Sequence, residues 1–496
     1  MGESKKKFDS SYIHAIIGVG ICMIFWFLPP LDPITPVGMR CLGTFFSMVY
    51  MWSTIGTLWP SIFGLFMLGI SGVAGDGTAG VKAVWLNAIG NDTVVLVLLG
   101  MVLFGAVDTC GATSYVAKFL LTRKIYAGKP YIFISVWFFT CAIVSAFVSP
   151  IIGLIMLWPI AMSIMKILGI TNEDKVWKFF FVGMFLVMTL CQPFIPFKGA
   201  PLIPISAFVK YTANIGMPME VPYAQYMLVD AIMTLLAMVV FVLGMKILRV
   251  DVSKFKEISP EHIEKQMPLP PINFQQKYFL CLIPIFVAGV LIPSFTPKGL
   301  TPVTDFLAMV SSLGVAAMLV IASLVIKWEG KPLLDFQYVA YKQMNWGIFF
   351  MIAAAVYAAG TLSNSATGVT PWIIQTLNPL LGGQPEMVFV ALMFTVALVI
   401  TNFANNAAMA TVLMPVVVSF SNQIGISPIP VAMGVILMVF VAMLTPAASP
   451  HGGMMWGRRD IYTPKDIISI GLPMCLGVLV LYIFIGYPLI KVLCGL

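Results

Sequence analysis

The chain has 496 residues, of which 60% are hydrophobic and only 10% are charged, and its formal net charge is +8. Such long and continuous apolar runs exclude a soluble globular domain, and their lack of strict alternation excludes a transmembrane β-barrel. The eight cysteines are scattered through the apolar runs without metal-ligand spacing, so neither a disulfide framework nor a redox centre is indicated. The composition predicts an all-α polytopic membrane protein.

The apolar runs predict eleven transmembrane helices. Their approximate positions are 12–30, 36–53, 57–75, 94–121, 174–209, 222–247, 278–295, 305–327, 346–363, 429–456 and 466–490. The first run follows a lysine-rich start and is not followed by a small-residue cleavage site, which favours a retained helix over a signal peptide. Two further apolar segments, 131–166 and 387–422, have polar residues at their centres, and we predict a re-entrant hairpin for each.

The polar centres of the two hairpins resemble each other. The second centre, 401–408, reads TNFANNAA, and the first, 145–151, reads SAFVSPI, with Phe147 matching Phe403. About 45 residues after each centre comes a helix broken by proline and glycine, at 192–199 and at 445–452. Paired polar interruptions of this kind are typical of secondary transporters with internal repeats. They predict a first repeat over 94–209 and a second over 346–456.

The basic residues predict how the chain is oriented. With the N-terminus in the cytoplasm and neither hairpin crossing, the cytoplasmic side holds most of the 28 lysines and arginines. The outside then holds Arg40, Lys82, Lys210, Lys298 and Lys491. This distribution follows the positive-inside rule, so the +8 charge reflects topology and does not require nucleic acid as a partner. It makes the two repeats inverted, with the first hairpin entering from the cytoplasm and the second from outside.

The remaining segments are predicted to support the two repeats. Residues 1–93 form N-terminal scaffold helices or a dimer interface, and 210–345 form linking helices with a cytoplasmic loop at 246–277. A C-terminal helix occupies 457–496. The protein is expected in the cell membrane as a multi-pass protein.

Broken helices at membrane depth supply groups that bind ions. Half-helix N-termini favour anions, whereas freed carbonyls and hydroxyls favour Na⁺. Candidate oxygen ligands for Na⁺ are Thr401 Oγ1, Asn406 Oδ1 and the backbone carbonyls of Ala447 and Ala448. The amide groups of Asn405 and Asn406 could donate to a substrate carboxylate. The alternative is that these amides only join packed helices.

With these residues the sequence resembles the divalent anion:sodium symporter family, which moves di- and tricarboxylates or sulfate. The resemblance covers nearly the whole chain, and it implies eleven spans, two inverted repeats, two re-entrant hairpins, homodimers and an elevator motion. It also implies that a Ser-Asn-Thr signature at each hairpin tip binds Na⁺ and substrate. In the second tip, Thr401 stands at a sodium-binding hydroxyl and Asn406 at the signature Asn, while Asn405 and Ala407 replace Ser and Thr.

The first tip departs from the family. Ser145 and Ser149 match sodium-site positions, but Pro150 and Ile151 replace the signature Asn and Thr. The facing broken helix offers Lys198, and a lysine at bilayer depth costs about 2.5–3.5 kcal/mol, which makes it a functional candidate. We predict that its ammonium replaces the first sodium ion or pairs with the substrate anion. The alternative is that Lys198 snorkels to an interface.

The predicted site therefore joins both tips and both broken helices. His451, the counterpart of Lys198, is either a substrate contact or a satisfied core histidine. The predicted substrate contacts are Ser149, Lys198, Gly199, Asn405, Asn406, Ala407 and His451. The predicted Na⁺ ligands are Ser145, Ser149, Thr401, Asn406, Ala447 and Ala448.

The sequence predicts Na⁺-coupled uptake of a small organic anion, most simply a C4 dicarboxylate. The alternatives are a Na⁺-independent anion exchanger and a transporter of another anion such as sulfate. An enzyme is not indicated, because three separate histidines at 14, 262 and 451 make no catalytic constellation. No G-x-x-x-x-G-K-[ST] loop is present for ATP-driven transport. A proton-coupled cation antiporter would need paired carboxylates, whereas Asp108 and Asp230 lie in different segments.

Overall fold

The computed structural model describes residues 10–147, 149–295, 301–362, 364–403, 406–446 and 448–496. Within these ranges the regular secondary structure is helical, apart from one small antiparallel pair of strands, β1 (Lys327–Trp328) and β2 (Lys331–Pro332). Loops and irregular stretches join these elements. Helices are the expected solution for a chain this apolar, because a helix satisfies its own backbone polar groups in the absence of water.

Four helices form the N-terminal region. They are α1 (Ser10–Phe27), α2 (Pro36–Thr54), α3 (Leu58–Ile70) and α4 (Gly77–Ile89). The Thr35 side chain caps α2 by accepting a hydrogen bond from the Gly38 amide. Pro36 occupies the first helical position, where its lack of a backbone N–H leaves no donor unsatisfied.

Six helices follow in the segment predicted as the first repeat. They are α5 (Asp92–Thr109), α6 (Ala112–Leu121), α7 (Pro130–Phe147), α8 (Pro150–Ile167), α9 (Lys175–Leu190) and α10 (Leu202–Asn214), with a 3₁₀ turn at Lys124–Tyr126. The single span predicted over 94–121 is divided into α5 and α6, because Gly111 has a left-handed backbone (φ 70°) that ends one helix before the next begins.

A connecting region joins this segment to the next. Its helices are α11 (Tyr223–Ile247), α12 (Pro260–Gln266), α13 (Phe274–Phe295), α14 (Pro302–Val325) and α15 (Phe336–Lys342), with a 3₁₀ turn at Ser253–Glu257. The polar loop predicted at 246–277 contains only the short α12 and this turn between the ends of α11 and α13.

The segment predicted as the second repeat also has six helices. They are α16 (Trp346–Leu362), α17 (Val369–Leu381), α18 (Glu386–Thr401), α19 (Asn406–Gln423), α20 (Pro428–Met438) and α21 (Pro450–Gly457), with a 3₁₀ turn at Ser365–Thr367. The chain ends with α22 (Pro464–Leu481), a π-helical turn (Tyr482–Gly486) and α23 (Tyr487–Cys494).

The two six-helix segments have the same order of elements. In each, a left-handed glycine, Gly111 or Gly368, precedes a short helix. The two helices predicted to form a hairpin follow, and the second of them contains an internal proline, Pro159 or Pro415. A further helix, an irregular stretch and a last short helix complete each segment. This correspondence supports two repeats, and their inverted orientation stays a prediction.

Length and hydropathy identify seven helices in the described ranges that could cross a membrane. They are α5, α7, α8, α11, Phe274–Pro293 within α13, α14, and the continuous Pro464–Cys494. Two bent pairs raise the number to nine: α15 with α16, bent by 78°, and α17 with α18, bent by 114°. The protein is therefore a multi-pass membrane protein. Three predicted spans appear as the shorter apolar helices α1, α3 and α20, so the count of eleven stays a prediction.

Candidate functional site

The second hairpin tip gathers oxygen atoms at the end of α18. Thr401 Oγ1 lies 3.0 Å from Asn406 Oδ1 and donates a short hydrogen bond to the Val439 carbonyl at the C-terminal cap of α20. Thr401 is fully buried and Asn406 is 7% exposed. A hydroxyl, an amide oxygen and a helix-terminal carbonyl thus converge, which is an all-oxygen set that suits Na⁺.

Asn402 joins this tip to the irregular stretch after α20. Its Nδ2 donates to the Leu398 carbonyl at 2.7 Å and to the Val441 carbonyl at 3.2 Å. Its Oδ1 accepts hydrogen bonds from the amides of Met443 and Leu444 at 3.0 and 2.8 Å. All hydrogen-bonding positions of the side chain are used within the protein, so Asn402 positions the tip and leaves no group for a substrate.

The first tip repeats part of this arrangement. Ser145 Oγ, in the last turn of α7, donates to the Met188 carbonyl near the end of α9 at 2.5 Å. This contact corresponds to that of Thr401 with Val439. Ser149 caps α8 by accepting from the Ile151 amide at 3.3 Å, and Pro150 occupies the first position of that helix. The two predicted serines therefore lie on either side of the break between the arms.

Lys198 reaches the first tip from the irregular stretch between α9 and α10. Its Nζ donates to the Ala146 carbonyl at 3.3 Å and lies 4.7 Å from the centre of the Phe104 ring. It also interacts electrostatically with Asp108 near the end of α5. Gly199, the next residue, has a left-handed backbone with φ 66°. The ammonium thus lies beside the backbone of the first tip.

Other predicted residues lie at the start of α19, in the irregular stretch before α21 and on α21 itself. His451 is buried, its ring centre is 5.5 Å from that of Phe185, and its Nε2 has no hydrogen-bond partner among the described residues. Ala407 and Ala448 are also buried. Asn405 and Ala447 lie outside the described residues. The helix α21 is capped by Ser449, whose Oγ accepts from the Gly452 amide at 2.9 Å.

Helices of the two six-helix segments also contact each other. The second arm of each hairpin contacts the last short helix of the other segment: α8 contacts α21, and α19 contacts α10. Tyr211 and Ser419 join α10 to α19 through their hydroxyl groups at 2.9 Å. These contacts pack the second arm of each hairpin against the other six-helix segment.

Two carboxylates on apolar helices were not part of the predicted site. Asp230 on α11 is fully buried, and neither of its oxygens has a hydrogen-bond partner among the described residues. Tyr226 and Thr234, one turn away on either side, likewise have unpartnered hydroxyls there. Asp108 lies on a different helix, α5. No cluster of three or more His, Cys, Asp or Glu side chains that could hold a metal ion occurs in the ranges the structure describes.

The fold and the tips define a class of protein. An all-helical membrane protein whose helices break around converging polar groups has the architecture of a secondary transporter. The sequence profile of the citrate transporter family, CitMHS, matches residues 47–438. The chain belongs to this family, and its resemblance to sodium-coupled carboxylate transporters is confirmed by the relatives it matches.

Several curated proteins are similar to parts of the chain. The transporter YfbS of Escherichia coli is 28% identical over 134 residues, 27% of this chain and 22% of that protein. The Na⁺/citrate cotransporter of Rattus norvegicus is 26% identical over 143 residues, 29% of this chain and 24% of that protein. The sodium-dependent dicarboxylate transporter SdcS of Staphylococcus saprophyticus is 22% identical over 170 residues, 34% of this chain and 32% of that protein. The matches thus span between a fifth and a third of these relatives.

A solved structure matches over a much larger part of the fold. The YdaH transporter of Alcanivorax borkumensis has a TM-score of 0.55 and 15% sequence identity, over 85% of this chain and 90% of that one. The similarity supports the all-helical transporter fold across most of the chain.

Proposed function

We propose that this protein is a secondary active transporter that takes up small carboxylate anions, a C4 dicarboxylate or citrate, together with Na⁺. Family membership supports the substrate class, and relatives named for sodium-coupled citrate and dicarboxylate transport support the coupling ion. The observation that carries the proposal is the convergence of Thr401 Oγ1, Asn406 Oδ1 and the Val439 carbonyl at the second tip.

Binding of Na⁺ at this position would favour binding of the substrate, because the ion would hold the backbone of the tip in place. The ion would bridge the end of α18, the start of α19 and the end of α20, and so fix the geometry of the tip. The N-terminus of α19 then carries its positive dipole end toward a substrate carboxylate, aided by the Asn406 amide. Asn405, Ala407 and the segment 447–448 are proposed to complete the two sites.

Lys198 is proposed to supply the charge that the first tip lacks. Ser145 and Ser149 provide hydroxyls there, while the Lys198 ammonium lies 3.3 Å from the Ala146 carbonyl. A fixed ammonium in place of a sodium ion would pair with the second carboxylate of the substrate. Gly199 and His451 are proposed to line the same space. This position of Lys198 also favours a second candidate function, a Na⁺-independent anion exchanger.

The larger architecture is proposed by the same reasoning. Repeats 94–209 and 346–456 would be inverted and would move as one transport unit in an elevator-type motion. Residues 1–93, 210–345 and 457–496 would form the scaffold of a homodimer. The N-terminus would lie in the cytoplasm, in agreement with the basic residues.

Uptake into proteoliposomes tests the proposal. Labelled succinate and citrate are offered under inward Na⁺, K⁺ or H⁺ gradients to wild-type protein and to Thr401→Ala, Thr401→Ser and Lys198→Ala variants. Wild-type uptake should require Na⁺. Thr401→Ala should raise the Na⁺ concentration for half-maximal uptake about tenfold, because one ligand is lost, whereas Thr401→Ser keeps the hydroxyl and should stay near wild type. Lys198→Ala should abolish uptake at low substrate concentration.

Two other outcomes would decide against the proposal. Uptake that ignores Na⁺ but accelerates with internal dicarboxylate would establish the exchanger instead. Unchanged Na⁺ dependence in Thr401→Ala would remove the second tip as the sodium site. Lys82→Ala serves as the matched control, since this exposed lysine lies on α4, outside both six-helix segments.

A further inference from the structure

Two adjoining cavities lie away from the hairpin tips. They have volumes of about 780 and 540 Å³, and Asn91, Asp92 and Lys210 line both. The larger one is bounded by the start of α5 and by α10, α13 and α14, and the smaller one extends to the end of α16. These volumes fall in the range of small-molecule sites, and no described tip residue lines either cavity. The cavities are therefore separate from the proposed transport site.

Lys210 is the basic side chain shared by the two cavities. It is half-buried, and in the described part of the chain it has neither an ion pair within 4 Å nor a hydrogen bond. Its ammonium lies 5.8 Å from the centre of the Tyr357 ring. The side chain passes close to Gly360, where a Cβ atom would lie 3.6 Å from Nζ, an ordinary van der Waals distance. Partial burial of an ammonium group without a counter-ion costs free energy, and a bound anion would reduce this cost.

The surroundings of Lys210 can donate hydrogen bonds to an anion. The wall of the smaller cavity contains side chains that can donate, those of Asn87, Asn91, Tyr357 and Asn364, while the Thr361 hydroxyl already donates to the Ala358 carbonyl at 2.7 Å. A cation surrounded by several neutral hydrogen-bond donors is an arrangement that binds a carboxylate. Such donors can bind the carboxylate in more than one orientation.

A strained helix break faces the larger cavity. Ser311, inside α14, has φ 58° and ψ −176°, a backbone conformation that is ordinarily confined to glycine. Ser311 and Ser312 both line the cavity. Strain of this kind persists where the surrounding structure requires it, and interrupted helices in transporters mark binding sites. This second observation points to the same space as the unpaired ammonium.

The acidic residues of the cavities do not neutralise Lys210. Asp92 and Glu220 line the larger cavity, but both are exposed, so water and salt screen their charges. Neither carboxylate lies within 4 Å of the Lys210 ammonium. The charge of the half-buried cation is therefore screened less than the charges of the two exposed acids.

We infer that Lys210, the amide-lined wall and the Ser311 break of α14 form a second anion site, which binds a carboxylate group of the substrate before it reaches the tips. The identity of the anion rests on the proposed function. The site would concentrate substrate at low external levels and release it inward, so its loss should affect half-saturation more than maximal rate.

Two measurements test the site, one of which does not depend on transport. In the full-length protein, exposed Cys281 is replaced by serine and Ser312→Cys is introduced. Modification of the introduced thiol by a membrane-impermeant maleimide is then followed by peptide mass, with citrate, succinate or sodium chloride of equal ionic strength. Citrate or succinate should slow the modification and chloride should not, and Lys210→Ala should abolish this protection while Lys210→Arg retains it.

Transport supplies the second measurement. Lys210→Ala should raise the substrate concentration for half-maximal uptake about tenfold, because one charge-assisted contact is lost, with the maximal rate within about twofold. Lys82→Ala should match wild type. Absence of both protection and this shift in a protein that transports would overturn the second site and leave the proposed function standing. Protection without any carboxylate uptake would support an anion site and overturn the proposed function.

Discussion

At the residue scale, Asn402 is the side chain on which the second tip depends most. Its amide satisfies two carbonyls and two backbone N–H groups inside the protein, and it is 3% exposed. Asn402→Ala would leave the N–H groups of Met443 and Leu444 without an acceptor in a buried environment. We expect a loss of about 2–4 kcal/mol in the free energy of unfolding, since each unsatisfied buried group costs about 1–3 kcal/mol.

Thermal unfolding in detergent, with and without Na⁺, measures this effect. Asn422→Ala is the control, because Asn422 is an exposed asparagine near the end of α19. Asn402→Ala should unfold at a clearly lower temperature, and Na⁺ should stabilise it less than wild type because the tip is no longer fixed. Equal stability of the two variants would show that the tip is held by other contacts.

The sequence predicted polar breaks at 145–151 and 401–408 but not the different roles of the amides in the second one. Three asparagines within five positions indicated a polar site, and each carries groups that can bind an ion or a carboxylate. The structure gives Asn402 a purely internal role, whereas Asn406 stays beside Thr401. The difference depends on the irregular stretch 439–445, which lies far along the chain, so local pattern could not reveal it.

At the element scale, the glycines before α6 and α17 share a left-handed backbone conformation but have different surroundings. Gly111 has φ 70° and open space around a Cβ position, whereas Gly368 has φ 67° and a Cβ there would collide with the Pro33 carbonyl. Alanine at either position costs about 1–2 kcal/mol for its backbone conformation. Only Gly368→Ala also forces the 3₁₀ turn away from the start of α2.

We therefore expect Gly368→Ala to destabilise the protein much more than Gly111→Ala. The first should lower the unfolding temperature strongly and the second only slightly, because the contacting atom is backbone and cannot rotate away. Differential scanning fluorimetry of the purified variants measures both. Similar losses in the two variants would contradict the close packing of Pro33 against this turn.

The elements themselves were predicted unequally well. Polar residues indicated the breaks at the two hairpins, and proline and glycine indicated the breaks before α10 and α21, because these two residues interrupt helices for local reasons. The helices α4 and α17 were missed. Each has 13 residues with polar or small side chains among the apolar ones, and their packing against α3 and α19 stabilises what the local sequence leaves undecided.

At the scale of the whole molecule, long-range contacts create features that no sequence window contains. The larger cavity at Lys210 is built from α5, α10, α13 and α14, which are far apart in the sequence. From the sequence, Lys210 was only one of the few basic residues expected outside. Its lack of an ion pair among the described residues and the break at Ser311 both depend on tertiary packing.

The orientation of the chain gives the last prediction. Glu257 lies in the basic segment between α11 and α13, and Met217 lies in the loop between α10 and α11, and both are exposed. Because α11 is a 25-residue apolar helix between them, they must lie on opposite sides if it crosses. The positive-inside rule places Glu257 in the cytoplasm. In right-side-out vesicles, a membrane-impermeant maleimide should label Met217→Cys and leave Glu257→Cys untouched until the vesicles are opened. The reverse pattern would invert the proposed topology, and with it the side from which the cavity at Lys210 receives its anion.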